Sequence, residues 1–566
     1  MTDSTTLTPF DTLSPSEPDV AELARKITAL REQVEGARDV ESALAVVREW
    51  DGLRRTVSTY SAWVGLRYNQ DTRDAERKAA RERWDTARPR WTEAVVSMQR
   101  ALLAHPLRSE LEAAIGSQAF SIWESQARAF DPSIVDDLVR ESGLESEYVA
   151  LLASAEIEFE GSVENLSTLT RHRQSADRER RLAVEHAFWG WYGEHSEQLD
   201  RIYGELVSVR TEIASKLGAR DFVDVGYRRM CRIDYGPEDV ARFRKSIIED
   251  VVPLATEIER RRAETLGVER VMAWDEFVHD TSGNPLPKGD RPWMVERAHE
   301  MFADLDPALA EFFERLDRGG YMDLDSRAGK AGGGFCTGFP TVGMPYVFAN
   351  FNGTKGDVEV LTHEIGHAFQ SYSSAGLFPS DYLVPTLESA EVHSMSLEFL
   401  TWPAMERFFG PEEGQRFRRV HLAESLTFLA YGTAVDHFQH EVYSRPNMTA
   451  AERHATWQEM ERTYAPWRDW GDLAHPGKGG RWQSQRHIYT RPFYYIDYVL
   501  AQTCALQFWA RAENDRSGAL AAYVELCGRG GSLPFQALVR SAGLTSPFEP
   551  GCLTEAVERA RSFLFD

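Results

Sequence analysis

From Val20 to Val207 apolar side chains recur three and four positions apart among Arg, Glu and Ala, which is the spacing of an amphipathic helix. Segments Val20–Glu35, Glu41–Gln70 and Glu76–Leu103 carry the pattern most plainly, and Pro106, Pro132 and Gly143 punctuate the remainder of that region. The run Tyr148–Phe159 alternates only weakly and is read as helix. No period of fixed length repeats, which disfavours a solenoid. From Asp221 to about Leu309 the pattern stays helical, apart from a Pro/Gly-rich stretch at Ser282–Pro292. Character changes near Arg318, where glycines multiply and short β-like pieces replace the helical spacing. Pro345–Phe351 reads as a strand and Asn352-Gly353 as a turn. Helix returns at Asp357, a good N-cap residue, and dominates to the end. The pattern predicts a mainly α protein with one small β element.

At 566 residues the chain is too long for one ordinary core. The expected division is a flexible, Ser/Thr/Pro-rich tail over 1–19, a helical domain over 20–200 and a second domain over 201–566. Hydrophobic residues make up 42% and charged residues 27%, as in globular soluble proteins. A net charge of -24 argues against nucleic acid or an anionic membrane as partner, since both repel such a surface. Cys231, Cys336, Cys504, Cys527 and Cys552 are odd in number and widely spaced, which speaks against a disulfide framework or a thiolate metal site. The N-terminal stretch has neither the basic nor the apolar region of a secretory signal, and no run is long and apolar enough to span a membrane. A cytoplasmic location is expected.

The candidate chemistry lies on the helix after the β element. His363 and His367 are four apart in His363-Glu364-Ile365-Gly366-His367, so both rings leave one face. Two imidazoles there can hold one cation, with Glu364 beside them to act on water without binding the ion. Zinc suits such donors and lowers the pKa of bound water to about 7. Gly366 removes bulk where another element can approach closely. A third ligand is required. After Pro385 a further helix places Glu388, Glu391 and Glu398 on one face, at spacings of three and seven. Spacing alone does not choose between Glu388 and Glu391. The glycine-rich stretch Gly329–Gly338 lacks the Gly-Lys-Ser/Thr ending of a phosphate loop and is read as a substrate loop. A second metal at His437, His440 and Glu441 is disfavoured by the spacing of three between the histidines.

These stretches resemble the oligoendopeptidase F and thimet oligopeptidase group of zinc metallopeptidases, the former branch more closely. The resemblance is carried by Gly329–Cys336, Asn350–Thr354, His363–His367, Glu391–Glu398, Asp436–His440 and His487–Tyr498, in order along the chain. It implies a two-lobed helical fold with a deep substrate channel, the small β element next to the zinc helix, and a catalytic zinc-peptidase domain over 201–566. One Zn2+ per chain would be held by His363, His367 and Glu391, with Glu398 supporting the ligands from behind. Glu364 would be the general base toward a zinc-bound water. His487 and Tyr498 would face the zinc, with Tyr494 and Tyr495 nearby, and substrate would meet Gly333, Gly334 and Ala349. The Pro345–Asn350 strand could take the substrate backbone as an added strand.

The implied activity is endopeptidase cleavage of short oligopeptides. Two other readings stay open on the sequence, an aminopeptidase-type exopeptidase and an idle peptide-binding helical protein. Cleavage preference, peptide length limit and oligomeric state are not encoded legibly.

Overall fold

The computed structural model describes residues 7–566. The first six positions of the expected tail lie outside the described residues. The described chain is mainly α, as the periodicity predicts. It forms two compact units, each assembled from three stretches. One comprises the chain up to Arg128, Leu286–Gln415 and Cys504–Thr545, and the other Ala129–Pro285, Arg416–Thr503 and Ser546–Asp566. A division at residue 200 into two consecutive domains is therefore not the one the packing makes.

In the first unit, helices Val20–Gly36, Val40–Gln70 and Ala75–Leu103 begin where the sequence supplies an aspartate cap. Asp19, Asp39 and Asp74 accept from the backbone amides of Glu22, Ser42 and Glu76 respectively. Val20, Val57, Tyr60, Val64 and Trp84 close the core between them.

The tail expected over 1–19 is docked from Thr8 onward. The Phe10 ring lies 4.4 Å from that of Tyr346 and 5.7 Å from that of Tyr321. Its amide donates to Gly319 O at 2.9 Å, and the Tyr321 hydroxyl donates to Thr8 O at 2.7 Å. One aromatic side chain finding an aromatic pocket outweighs the polar composition around it.

In the second unit the helix Val135–Ala153 ends before Phe159. Strand β1 (Ile157–Phe159) then pairs antiparallel with β2 (Ser162–Glu164). The expectation of helix to Phe159 fails because Glu160 and Gly161, both at positive φ, form a two-residue hairpin turn.

The β element lies in the first unit. Its strands are β3 (Met322–Asp325), β4 (Phe335–Phe339) and β5 (Met344–Phe351), in the order β3-β5-β4. β5 is thus central, parallel to β3 and antiparallel to β4. Pro345–Phe348 pair with β4, and from Val347 the other side is taken by β3, so this strand has no free edge for a further one. β4 is an edge strand, half-buried from Phe335 to Gly338. Lys330 closes the glycine-rich loop onto the sheet. Its ammonium donates to Asp323 O and Oδ1, Asp325 O and Ala349 O at 2.5 to 2.9 Å, and lies over the Phe348 ring.

Candidate active site

The helix carrying both histidines runs Lys355–Ser373 and begins two residues before Asp357. Thr354 is its N-cap, and Asp357 reaches back instead, accepting from the amides of Asn352 and Gly353 at 2.7 to 3.1 Å. The turn before the helix is thereby tied to its first coil.

Helix Leu387–Leu400 packs against it with almost every residue buried. The crossing is tight at Gly366. A Cβ there would stand 2.6 Å from Ser394 Cα and 2.7 Å from His393 O. The Tyr523 hydroxyl donates to that same His393 carbonyl at 3.0 Å. Only glycine permits this backbone approach, and the approach brings Glu391 to the histidines.

Glu391 Oε2 lies 3.3 Å from His363 Nε2 and 3.3 Å from His367 Nε2. The three residues offer donor atoms all within 4.8 Å of one another, the one such group of His, Cys, Asp or Glu among the described residues. Glu388 is buried too but outside this group. Glu398 Oε1 takes the other nitrogen of His363, Nδ1, at 2.7 Å and so sets the ring's orientation.

Glu364 is 6% exposed, and its Oε2 has no hydrogen-bond partner among the described residues. Such an atom is costly unless something else occupies its lone pairs. Burial lifts the Glu364 carboxyl above its ordinary pKa, against the pull of both histidines. Glu391 behaves oppositely. Burial raises it too, but His367 and His363 outweigh that and hold it well below the carboxylate range. His363 is kept well above its ordinary value, since Glu391 and Glu398 overcome its burial.

Two nitrogens and one carboxylate oxygen converge beside a buried carboxylate with an unsatisfied oxygen. That donor set fits a divalent metal ion of the zinc type.

Of the predicted substrate residues, Gly334 lies against this centre. A Cβ on it would come within 3.1 Å of Glu364 Oε1. Gly333, at φ +92°, accepts at its carbonyl from the Asn350 side-chain Nδ2 at 2.8 Å. Ala349 is fully buried with its carbonyl taken by Lys330, so it is a support of the loop. Neither Lys330 nor Asn350 was singled out from the sequence, although both stand within the conspicuous glycine-rich and Asn-Gly stretches.

The C-terminal candidates lie in the second unit, where the structure gathers them into one cluster. The His487 ring is 5.1 Å from that of Tyr495, 5.7 Å from Tyr494 and 6.0 Å from Tyr498. Just before helix Tyr495–Asn514, Phe493 has φ +66°, a strained conformation for a bulky residue. It is held from three sides. Arg232 donates to its carbonyl at 2.5 Å, its amide donates to Gln439 Oε1 at 3.0 Å, and Gly226 leaves room for its ring. His437 and His440 engage Tyr464 and Tyr227 and join no group among the described residues that could hold a metal.

A family model described as the Peptidase M3 N-terminal domain matches residues 10–130, and one described as Peptidase family M3 matches residues 309–557. The structure of Pz peptidase A with an inhibitor is 42% identical over 98% of this chain and 99% of that one, with a TM-score of 0.94. The chain belongs to peptidase family M3. A Bacillus anthracis str. Ames protein provisionally named oligoendopeptidase F is 39% identical to this M3 peptidase, over 99% of this chain and 98% of its own, with a TM-score of 0.89. Another provisionally named oligoendopeptidase F is 42% identical over 98% of each chain, with a TM-score of 0.94. No curated protein matches the chain. The family is one of metallopeptidases, so the M3 peptidase acts on peptides, and no described helix is long and apolar enough to cross a membrane.

Proposed function

We propose that this M3 peptidase is a zinc-dependent endopeptidase of short oligopeptides, working in the cytoplasm. The observation that carries the reading is the convergence of His363, His367 and Glu391 beside the buried, unsatisfied oxygen of Glu364. His363, His367 and Glu391 would hold one Zn2+, which when bound supplies Lewis acidity toward a carbonyl oxygen and lowers the pKa of water. Glu398 orients His363.

Glu364 takes the proton of the attacking water and passes it to the leaving nitrogen. Its raised pKa suits both halves of that task. His487 and Tyr498 donate to the oxygen on which negative charge grows, within the Tyr494 and Tyr495 cluster. The peptide backbone is taken as an added strand by β4, the sheet's edge, beside Gly334 and Glu364. This replaces the assignment of that role to the central Pro345–Asn350 strand.

The test is Glu364→Gln with a peptide blocked at both ends. Zinc content should stay at one per chain while kcat falls at least 10³-fold, and chelation should abolish wild-type cleavage of the same peptide. Turnover by Glu364→Gln at the wild-type rate would remove the base assignment. Failure to cut any doubly blocked peptide would favour an exopeptidase.

A further inference from the structure

Gln485 stands between two rings of the second unit. Its Oε1 accepts from the Tyr431 hydroxyl at 2.8 Å, and its Nε2 lies 2.9 Å from His487 Nδ1. The two contacts are not independent, because a carboxamide has one accepting end and one donating end. The Tyr431 hydroxyl has no other hydrogen-bond partner among the described residues, so its proton goes to Oε1. The amide NH2 must then turn to His487, and Nδ1 must accept. A neutral imidazole whose Nδ1 accepts carries its proton on Nε2.

The tyrosine that fixes this direction is itself held. The Arg481 guanidinium lies 4.3 Å from the centre of its ring and is paired with Glu276, while the Tyr495 ring packs at 5.9 Å. The arrangement has the form of an orienting shell, in which a carboxamide does for His487 what a carbonyl or carboxylate does for many functional histidines, with the opposite sense.

We propose that Gln485 is a positioning residue that fixes His487 as the Nε2–H tautomer, so that His487 presents an N–H donor and no basic nitrogen. The inference rests on the proposed role of His487 toward the substrate oxygen, and it sharpens that role. His487 is a fixed donor, and Glu364 is left as the base.

The experiment uses the full-length, zinc-loaded protein with ¹⁵N-labelled imidazoles. Long-range ¹H–¹⁵N correlation spectra report the tautomer, and His487→Asn assigns the signals. Wild type should show His487 protonated at Nε2, with a hydrogen-bonded, unprotonated Nδ1. Gln485→Glu offers only acceptors, so it should move the proton to Nδ1 or give the imidazolium. Its kcat should fall 10- to 100-fold with KM changed less than threefold. Gln485→Met, which neither donates nor charges, should give mixed tautomers and an intermediate kcat, and it serves if the glutamate variant misfolds. An Nδ1–H pattern in wild type, or spectra of His487 identical in wild type and both variants, would overturn the proposal. If the tautomer behaves as expected but His487→Asn keeps full kcat, the positioning by Gln485 stands and the role of His487 in the proposed function falls.

Discussion

Gly366→Ala tests the link between a single small residue and the metal centre. The added Cβ would sit 2.6 Å from Ser394 Cα and 2.7 Å from His393 O, both backbone atoms of the facing helix. Carbon atoms pack at about 3.5–4.0 Å, so the helices must part locally by roughly 1 Å. Neither atom is the end of a flexible side chain that can swing away. The cost expected for such overpacking is about 1–3 kcal/mol, offset in part by the roughly 1 kcal/mol gained from alanine over glycine in a helix.

The larger effect falls on the donors. Glu391 is borne by the helix that moves and now stands 3.3 Å from each histidine nitrogen. Zinc sites tolerate deviations of only about 0.2 Å in ligand distance. Zinc affinity should fall tenfold or more, which is at least about 1.4 kcal/mol. Competition with a calibrated chelator reads the affinity, and thermal unfolding of the metal-free protein reads the packing cost separately. Affinity within twofold of wild type would refute the reasoning, because it would mean that the crossing at Gly366 does not set the position of Glu391.

Three further perturbations address particular contacts. Glu398→Ala frees the ring of His363, whose Nδ1 it now holds at 2.7 Å, and should cost about 10- to 100-fold in zinc affinity by the same competition assay. Gly226→Ala would put a Cβ 2.3 Å from Phe493 Cδ2. It should destabilise by about 1–3 kcal/mol in denaturant unfolding and lower kcat, since Phe493 leads into Tyr494 and Tyr495. Glu145 is pushed up to about 7 from an ordinary 4.5, by burial first, with Glu141 adding to it and Arg210 opposing. The folded state therefore holds this proton more tightly than the unfolded one, and stability drops as pH rises from about 4.5 to 7. Glu145→Gln removes that loss, so it should gain on the order of 1–2 kcal/mol over wild type at pH 8 and nothing below pH 4.5. An equal gain at both pH values would show that packing, not titration, was responsible.

Features that depend on a few neighbours along the chain were legible before the structure. The segments read from Val20, Glu41 and Glu76 are helices that begin at Val20, Val40 and Ala75, because apolar spacing is a local signal. The pairing of His363 with His367 comes from one helical turn. What the sequence hides is set by crossings and by strand order. Glu388 and Glu391 are one turn apart, and which of them meets the histidines depends on where the second helix crosses the first at Gly366. Strand order is equally invisible. β5 comes after β4 along the chain but lies between β4 and β3, so the segment that looked most like a docking strand is the one already paired on both sides. The docking of Phe10 and the burial of Lys330 under the glycine loop are side-chain decisions that run against composition. They leave no periodic trace.

The two carboxylates of the centre illustrate how one fold separates two roles. Glu364 and Glu391 are equally buried, at 6% and 5% exposure, and each is near both histidines. Their proton affinities nevertheless diverge. Glu391 approaches both imidazoles within 3.3 Å, so charge pairing outweighs desolvation and it stays ionised, as a metal ligand must. Glu364 is on the same helix as the histidines, one step round from His363, and does not pair with either at close range. Desolvation wins there, and the carboxyl is pushed toward the pKa at which a group can both take and return a proton. The difference comes from which helix carries the residue. A carboxylate from the facing helix can point into the gap between two rings on one face, whereas a neighbour in sequence points past them. On this argument, exchanging the positions of ligand and base within the motif would yield neither a metal site nor a base. What fits the residues for their proposed roles is the crossing of the two helices.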